Sequence, residues 1–233
     1  MSASRRRPAA PVLGLAVLAF LLAAAAGPVR PAEAGPDLAS ARAFLLDGAE
    51  RAGAILKAHA APREAVAAKL RAELHRGFDV PAIASYVLGP ASRGLSPETK
   101  ERYLGAFEEL VVQTVANWVY ALGPVVEGDI GDVLRVTGAT PLEGDQLLLH
   151  TRLNHKNADW VKIDWRLRER EGRIKIIDVM VLGISQAQLY RAEFASVMRR
   201  SGNGVDGLIE ALSRKAAALR RHGGAPADDP PRR

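Results

Sequence analysis

Polar and apolar residues alternate most regularly between Val161 and Arg168. There Val161, Ile163, Trp165 and Leu167 lie on one side of an extended chain, and Lys162, Asp164, Arg166 and Arg168 on the other. That pattern predicts an antiparallel strand buried on one face. After a tight turn at Glu171, Gly172 and Arg173, the run Ile174 to Leu182 is apolar on both faces except at Lys175 and Asp178. Such a strand is either covered on two sides or shifted in register by a bulge.

Upstream the period is helical. Leu38, Ala41, Leu45, Ala49, Ala52, Ile55 and Leu56 recur at three and four residue spacing behind Asp37, a suitable N-cap. Pro62 opens a second helix that runs to Gly77, and Asp79 or its neighbour caps a short helix ended by Gly89-Pro90. Ser96-Pro97-Glu98 then starts the longest helix, Pro97 to Leu122. Its first half is amphipathic, but its second half, Leu110 to Leu122, carries no charge on any face, so it must be covered all round.

Beyond Gly123-Pro124, four strands are expected: Val125 to Val136, Gln146 to Asn154, Trp160 to Arg168 and Arg173 to Leu182. Short joining loops favour an antiparallel meander. Ile184-Ser185 leads into a helix with Leu189, Tyr190, Phe194, Val197 and Met198, and Asp206 is expected to cap a last helix with Leu208, Ile209, Leu212 and Ala216. The pattern predicts one α+β domain over 35–222, a four-stranded sheet packed against a bundle of helices. A disordered tail is expected over 223–233, rich in Pro, Asp and Arg.

Composition changes this picture at the N-terminus. Arg5 to Arg7, the apolar run Val12 to Ala26 and the small-x-small triplet Ala32-Glu33-Ala34 describe a signal peptide over 1–34. A twin-arginine signal and a retained anchor helix are the alternatives. Removing it takes away four of 32 basic and one of 26 acidic residues, lowering the net charge from +6 to +3. A mild excess of that size argues against nucleic acid as a partner. The chain has no cysteine, hence no disulfide framework, thiolate metal site or lipidated cysteine.

Candidate chemistry is sparse. No Walker loop, G-x-S-x-G elbow, G-x-G-x-x-G or H-E-x-x-H motif is present. His150 and His155 are five apart on or beside a strand, which sends them to opposite faces, and no metal or other cofactor is expected. His59, His75 and His222 stand near helix ends or in the tail. Asp164 and Asp178 are the candidate general bases. The plainer expectation places Asp164 on a solvated face beside an Arg, and Asp178 at a hydrogen-bonded bulge or edge. The pairs Arg199-Arg200, Arg214-Lys215 and Arg220-Arg221 suit solvated helix ends, or a docking surface for an acidic partner or headgroups. Trp118, Tyr120, Trp160 and Trp165 belong to core or to a ligand wall. The excess of apolar faces favours a cavity.

Several ordered segments together resemble the MlaC, or toluene-tolerance, family of periplasmic phospholipid-binding proteins. They are Phe78-Asp79, Val87-Leu88-Gly89, the Phe107-Glu108-Glu109-Leu110 helix, Asp164-Trp165-Arg166-Leu167-Arg168, and Ile177-Asp178-Val179 leading to Gly183-Ile184-Ser185. Tyr190-Arg191, Phe194, and Gly204, Asp206, Leu208-Ile209 and Leu212 complete the series. The resemblance implies a soluble periplasmic carrier, not an enzyme. Such a carrier shuttles phospholipid between an inner-membrane ABC transporter complex and an outer-membrane lipoprotein complex. It also implies a cone-shaped fold of NTF2-like or cystatin-like type, with an apolar cavity between sheet and helices. The chain also resembles the hopanoid-associated HpnM branch, which makes a rigid polycyclic lipid an alternative cargo. Asp164-Trp165-Arg166 replaces a Tyr-Arg pair common in the family, and Ala116 to Tyr120 makes the end of the long helix bulky.

The expected cavity wall is Phe107, Val111, Val115, Trp118 and Val119 on the long helix, Ile163, Trp165, Val179 and Val181 on the sheet, and Tyr190 and Phe194 on the following helix. The alternative is a small NTF2-like enzyme acting on a polycyclic lipid through Asp164 or Asp178 and a Tyr. If the leader is removed on export, the mature chain begins at Gly35, with cleavage after Ala26 as second choice. N-terminal sequencing of the exported protein checks this, and an intact Met1 or a start well beyond Gly35 would refute it.

Overall fold

The structure is a computed structural model that describes residues 35–122, 133–153 and 161–221. Residues 1–34, the start of the expected first strand, Trp160, His155 and the tail lie outside the described residues. The elements are α1 (Leu38–Lys57), α2 (Arg63–Gly77), α3 (Val80–Leu88), a 3-10 turn (Gly89–Ser92), α4 (Pro97–Leu122), β1 (Leu134–Pro141), β2 (Gln146–Leu153), β3 (Val161–Arg170), β4 (Arg173–Val181), β5 (Ile184–Ser185), α5 (Gln186–Ser201) and α6 (Gly204–Arg221). The strands form one antiparallel sheet in the order β1-β2-β3-β4-β5.

The helices begin where local chemistry directs. Asp37 accepts from the Ser40 amide at 2.7 Å, and Asp79 accepts from Ala82 N at 3.1 Å. Ser96 Oγ accepts from Thr99 N at 3.1 Å ahead of Pro97. Asp206 departs from expectation. It lies inside the first turn of α6 instead of capping it, and its carboxylate meets Arg102 Nη1 of α4 at 3.0 Å.

The sheet also differs from the expected four strands in having a fifth, Ile184–Ser185, too short for periodicity to reveal. β1 continues through Gly138 to Pro141, a stretch whose Gly and Pro suggested a turn. β3 and β4 are joined by Glu171-Gly172, both at positive φ (51° and 68°), the backbone that a two-residue hairpin turn requires.

The doubly apolar β4 resolves into a bulge. Its register runs Arg166↔Asp178 and then Leu167↔Ile176, leaving Ile177 extra. The buried positions therefore switch from Ile174 and Ile176 to Val179 and Val181, so both halves of β4 face the same core. Asp178, at the switch, accepts from Val179 N (2.8 Å), Ala187 N (3.1 Å) and Ser185 Oγ (2.5 Å). Ser185 in turn accepts from Gln188 N at 3.0 Å, so one carboxylate ties the bulge to the N-terminus of α5.

Phe78 forms a parallel bridge to Ile176, and Asp79 N donates to Ile176 O at 3.0 Å. The Asp79 carboxylate also pairs with Arg168 of β3, while Lys175 Nζ donates to the His75 and Arg76 carbonyls at the end of α2. The α2–α3 junction is thus fastened to the β3–β4 end of the sheet. Replacing Asp178 with Ala orphans two amides and a hydroxyl. A loss of about 2–3 kcal/mol is expected, read as a lowered urea midpoint at unchanged slope; an unchanged midpoint would show that the carboxylate is dispensable.

Candidate functional site

The inner face of the sheet and the charge-free half of α4 are the two apolar surfaces that the sequence predicts to face one another. Register makes the sheet side one patch, because Ile163 lies opposite Val181 and Trp165 opposite Val179. On the other side, Trp165 faces Leu149 and Ile163 faces Thr151 of β2. The close backbone neighbours of α4 are α6, α2, α1 and α3, whereas α5, α3 and α2 approach β4 and α1 approaches β1 and β2. No helix makes a comparable approach to β3 among the described residues.

Eight of the eleven expected wall residues are buried at 5% exposure or less: Phe107, Val115, Val119, Ile163, Trp165, Val179, Val181 and Phe194. Val111, Trp118 and Tyr190 keep accessible surface. The structure joins several of them directly. The Phe107 ring meets Phe194 edge-on at 6.2 Å between centroids, and Phe194 meets Tyr190 at 6.0 Å. Tyr103, not among the expected residues, extends this aromatic column to α3 by donating to Ala84 O at 2.9 Å, and burial pushes its phenol well above the ordinary range.

Burial likewise raises the Tyr190 phenol. Its hydroxyl has no hydrogen-bond partner among the described residues, yet no buried side-chain polar atom there is left unpaired. The residue as a whole is half-buried, its ring packed against Phe194.

Trp165 shows how a polar group is accommodated in this interior. Its Nε1 donates to Thr151 Oγ1 at 3.0 Å, and Thr151 Oγ1 donates to Ile163 O at 2.8 Å. Thr151 was missed as a site residue. The available signal was its place as the one polar member of the inward series Leu147, Leu149, Thr151, Leu153.

The opposite side of α4 is polar and locked. Arg71 pairs with Glu108 and Glu109 at 2.6 Å each, Arg220 pairs with Glu109, and Arg63 donates to Gln113 (3.2 Å) and Asn117 while lying over the Tyr120 ring at 5.5 Å. Burial alone would raise Glu109, but hydrogen bonds from Arg71, Arg220 and Gln113 prevail and hold its carboxyl below its usual range. Tyr120 donates to Ala61 O at 2.7 Å. These contacts join α2, α4 and α6 and give Tyr120 a structural role.

The candidate bases have other tasks. Asp178 serves α5 as described. Asp164 is on the outward face, but it is buried and not solvated, and it pairs with His150 Nδ1 (2.8 Å) and Lys162 Nζ (3.1 Å) instead of an Arg. His150 Nε2 lies 2.8 Å from Thr140 Oγ1. A groove of about 350 Å³ at the far end is lined by Arg168, Arg170 and Lys175, but Asp79, Asp145 and the α2 carbonyls engage those cations. Among the described residues no group of three or more His, Cys, Asp or Glu could hold a metal ion, and no helix is long and apolar enough to cross a membrane.

Sheet and helical layer define an α+β protein with an apolar interior flanked by tied-up carboxylates. It belongs to the MlaC family: the family described as MlaC protein matches residues 47–214. Among solved structures it is similar to the phospholipid-binding protein from Ralstonia solanacearum in complex with a phospholipid. That likeness has a TM-score of 0.61 at 20% identity, over 72% of this chain and 92% of that one. No curated protein sequence matches.

Replacing Thr151 with Val leaves the Trp165 N–H without its acceptor, and a loss of about 1–3 kcal/mol is expected. Adding Trp165→Phe should cost much less than the sum of the two single changes. Additive losses in chemical unfolding would refute the coupling.

Proposed function

We propose that this protein is a periplasmic lipid carrier, the soluble binding component of an ABC-type lipid transport system. In that role it moves phospholipid between an inner-membrane transporter and an outer-membrane lipoprotein complex. The observation that carries the reading is the apolar interior of a chain belonging to the MlaC family, where half-buried Tyr190 packs beside buried Phe194 and Phe107. The phospholipid held by the similarly folded Ralstonia protein supports the choice of cargo. The leader expected over 1–34 supports the compartment.

Binding needs no catalytic group. Burying about ten acyl methylenes contributes on the order of 8 kcal/mol, micromolar affinity before ordering costs. The catalytic alternative is not favoured, because both oxygens of Asp178 are engaged in the α5 cap and Asp164 lies on the other side of the sheet.

Native mass spectrometry of protein purified from a Gram-negative periplasm should show copurifying phospholipid. Trp118→Arg, at a partly accessible position, should reduce uptake from liposomes at least tenfold while the thermal midpoint confirms folding. A hopanoid in place of phospholipid would select the polycyclic cargo. Absence of both copurified lipid and uptake would overturn the carrier.

A further inference from the structure

Among the described residues the half-buried lysines and arginines are Arg51, Arg63, Arg71, Arg168, Lys175 and Arg191. All but one donate to protein oxygens. Arg51, Arg71 and Arg168 pair with carboxylates, Arg63 donates to two side-chain amides, and Lys175 donates to two carbonyls at a helix end. Arg191 makes neither a hydrogen bond nor an ion pair among the described residues. Its guanidinium carries five N–H donors and a charge that is costly to take from water unanswered.

The side chain is nonetheless held in place. Arg191 Cζ stands 5.1 Å from the centroid of the Tyr86 ring, and Nε lies 3.1 Å from where a Cβ on Gly89 would stand, so the glycine leaves room for the guanidinium at the end of α3. A helix C-terminus suits a cation. Yet Ser85 O and Tyr86 O accept there from Gly89 N, and Arg191 donates to neither. Tyr86 is 44% exposed, and its hydroxyl also lacks a hydrogen-bond partner among the described residues. Guanidinium and phenol thus stand together as donors without an acceptor. Their place is close to the interior. Tyr190, next to Arg191 in the chain, packs on Phe194 and through it on Phe107, and Tyr103 carries that aromatic column to Ala84 O, two residues before Tyr86.

We propose that Arg191 and Tyr86, at the α3–α5 junction, seat the phosphate of a bound lipid whose chains lie against Tyr190 and Phe194. The inference rests on the carrier reading and adds to it the group that reads the cargo's head. A guanidinium grips phosphate through two parallel N–H bonds, and the phenol supplies a further donor. The ring beneath it adds a cation–π contact and leaves the N–H edge for the ligand. A carboxylate from a partner protein would satisfy the same donors, but it gives no reason for them to stand one residue from the apolar column. Polar and apolar contacts so close together suit an amphiphile.

The test loads the exported protein, freed of lipid by unfolding and refolding, from detergent micelles that hold equal amounts of phosphatidylglycerol and diacylglycerol with the same chains. Native mass spectrometry reads the bound lipid. The wild-type protein should take the phospholipid about tenfold or more over diacylglycerol, the ratio that one charge-assisted pair supplies. Arg191→Gln should bring the two lipids to equal loading, Arg191→Lys should keep part of the preference, and Tyr86→Phe should reduce it. Arg199→Gln, at the exposed end of α5, should leave it unchanged. Equal loading by the wild-type protein overturns the proposal and leaves the carrier reading intact. A preference that survives Arg191→Gln also overturns it, and assigns the pair to an acidic partner. Loss of both lipids by Arg191→Gln together with a lowered thermal midpoint shows a packing role and overturns it as well. Excess inorganic phosphate should not abolish the preference; if it does, the site takes free phosphate and the lipid assignment falls. Uptake of neither lipid by the wild-type protein overturns both readings.

Discussion

The inner surface of this protein depends on one extra residue. Without the bulge at Ile177, a strict alternation along β4 would send either Ile174 and Ile176 or Val179 and Val181 away from the core. With it, both pairs face inward. The residue after the bulge is an aspartate whose carboxylate collects two amides and a hydroxyl and so fixes where α5 starts. The placement of Tyr190 and Phe194 follows from that start, since both lie within three turns of the Ser185 cap. The aromatic column of the interior is set, at one remove, by a defect in the sheet.

The residues that carry the family resemblance act mainly on architecture. Phe78-Asp79 and Arg168 fasten the α2–α3 junction to the sheet. Gly89 adopts φ 66° with the Arg191 Nε 3.1 Å from where a Cβ would stand, and Arg191 in turn covers the Tyr86 ring. Asp178 and Ser185 place α5. A binding protein whose interior is only apolar has no catalytic constellation to mark it, so its recognisable positions are those that hold the frame.

Much of this frame was legible in the sequence, for reasons that differ by element. β3 was legible because one face is buried and the other charged, and α4 because Pro97 and the charge-free half bound it. The two readings offered for β4 included the bulge that exists. Asp164 was misjudged because alternation reports which face a side chain takes, not whether neighbours such as His150 and Lys162 close over it. β5 was invisible at two residues, and Asp206 resembled a cap because an acid in the first turn of a helix has the same composition as one before it. Which apolar side chains remain accessible depends on how α4 stands off β3, a distance that no local pattern encodes.

The fastenings between the helical layer and the sheet are unevenly distributed. Asp79 to Arg168, Lys175 to the α2 carbonyls and the Phe78 bridge all gather at the β3–β4 turn end, and Asp178 secures α5. Among the described residues no hydrogen bond joins α4 to any strand. α4 itself is held to α2 and α6 by charged and amide contacts that would travel with it. The two layers thus behave like a book with a polar spine and unglued pages. Parting α4 from β3 exposes hydrocarbon and, among the described residues, breaks no hydrogen bond between the two, and a guest made of hydrocarbon would restore what the separation removed.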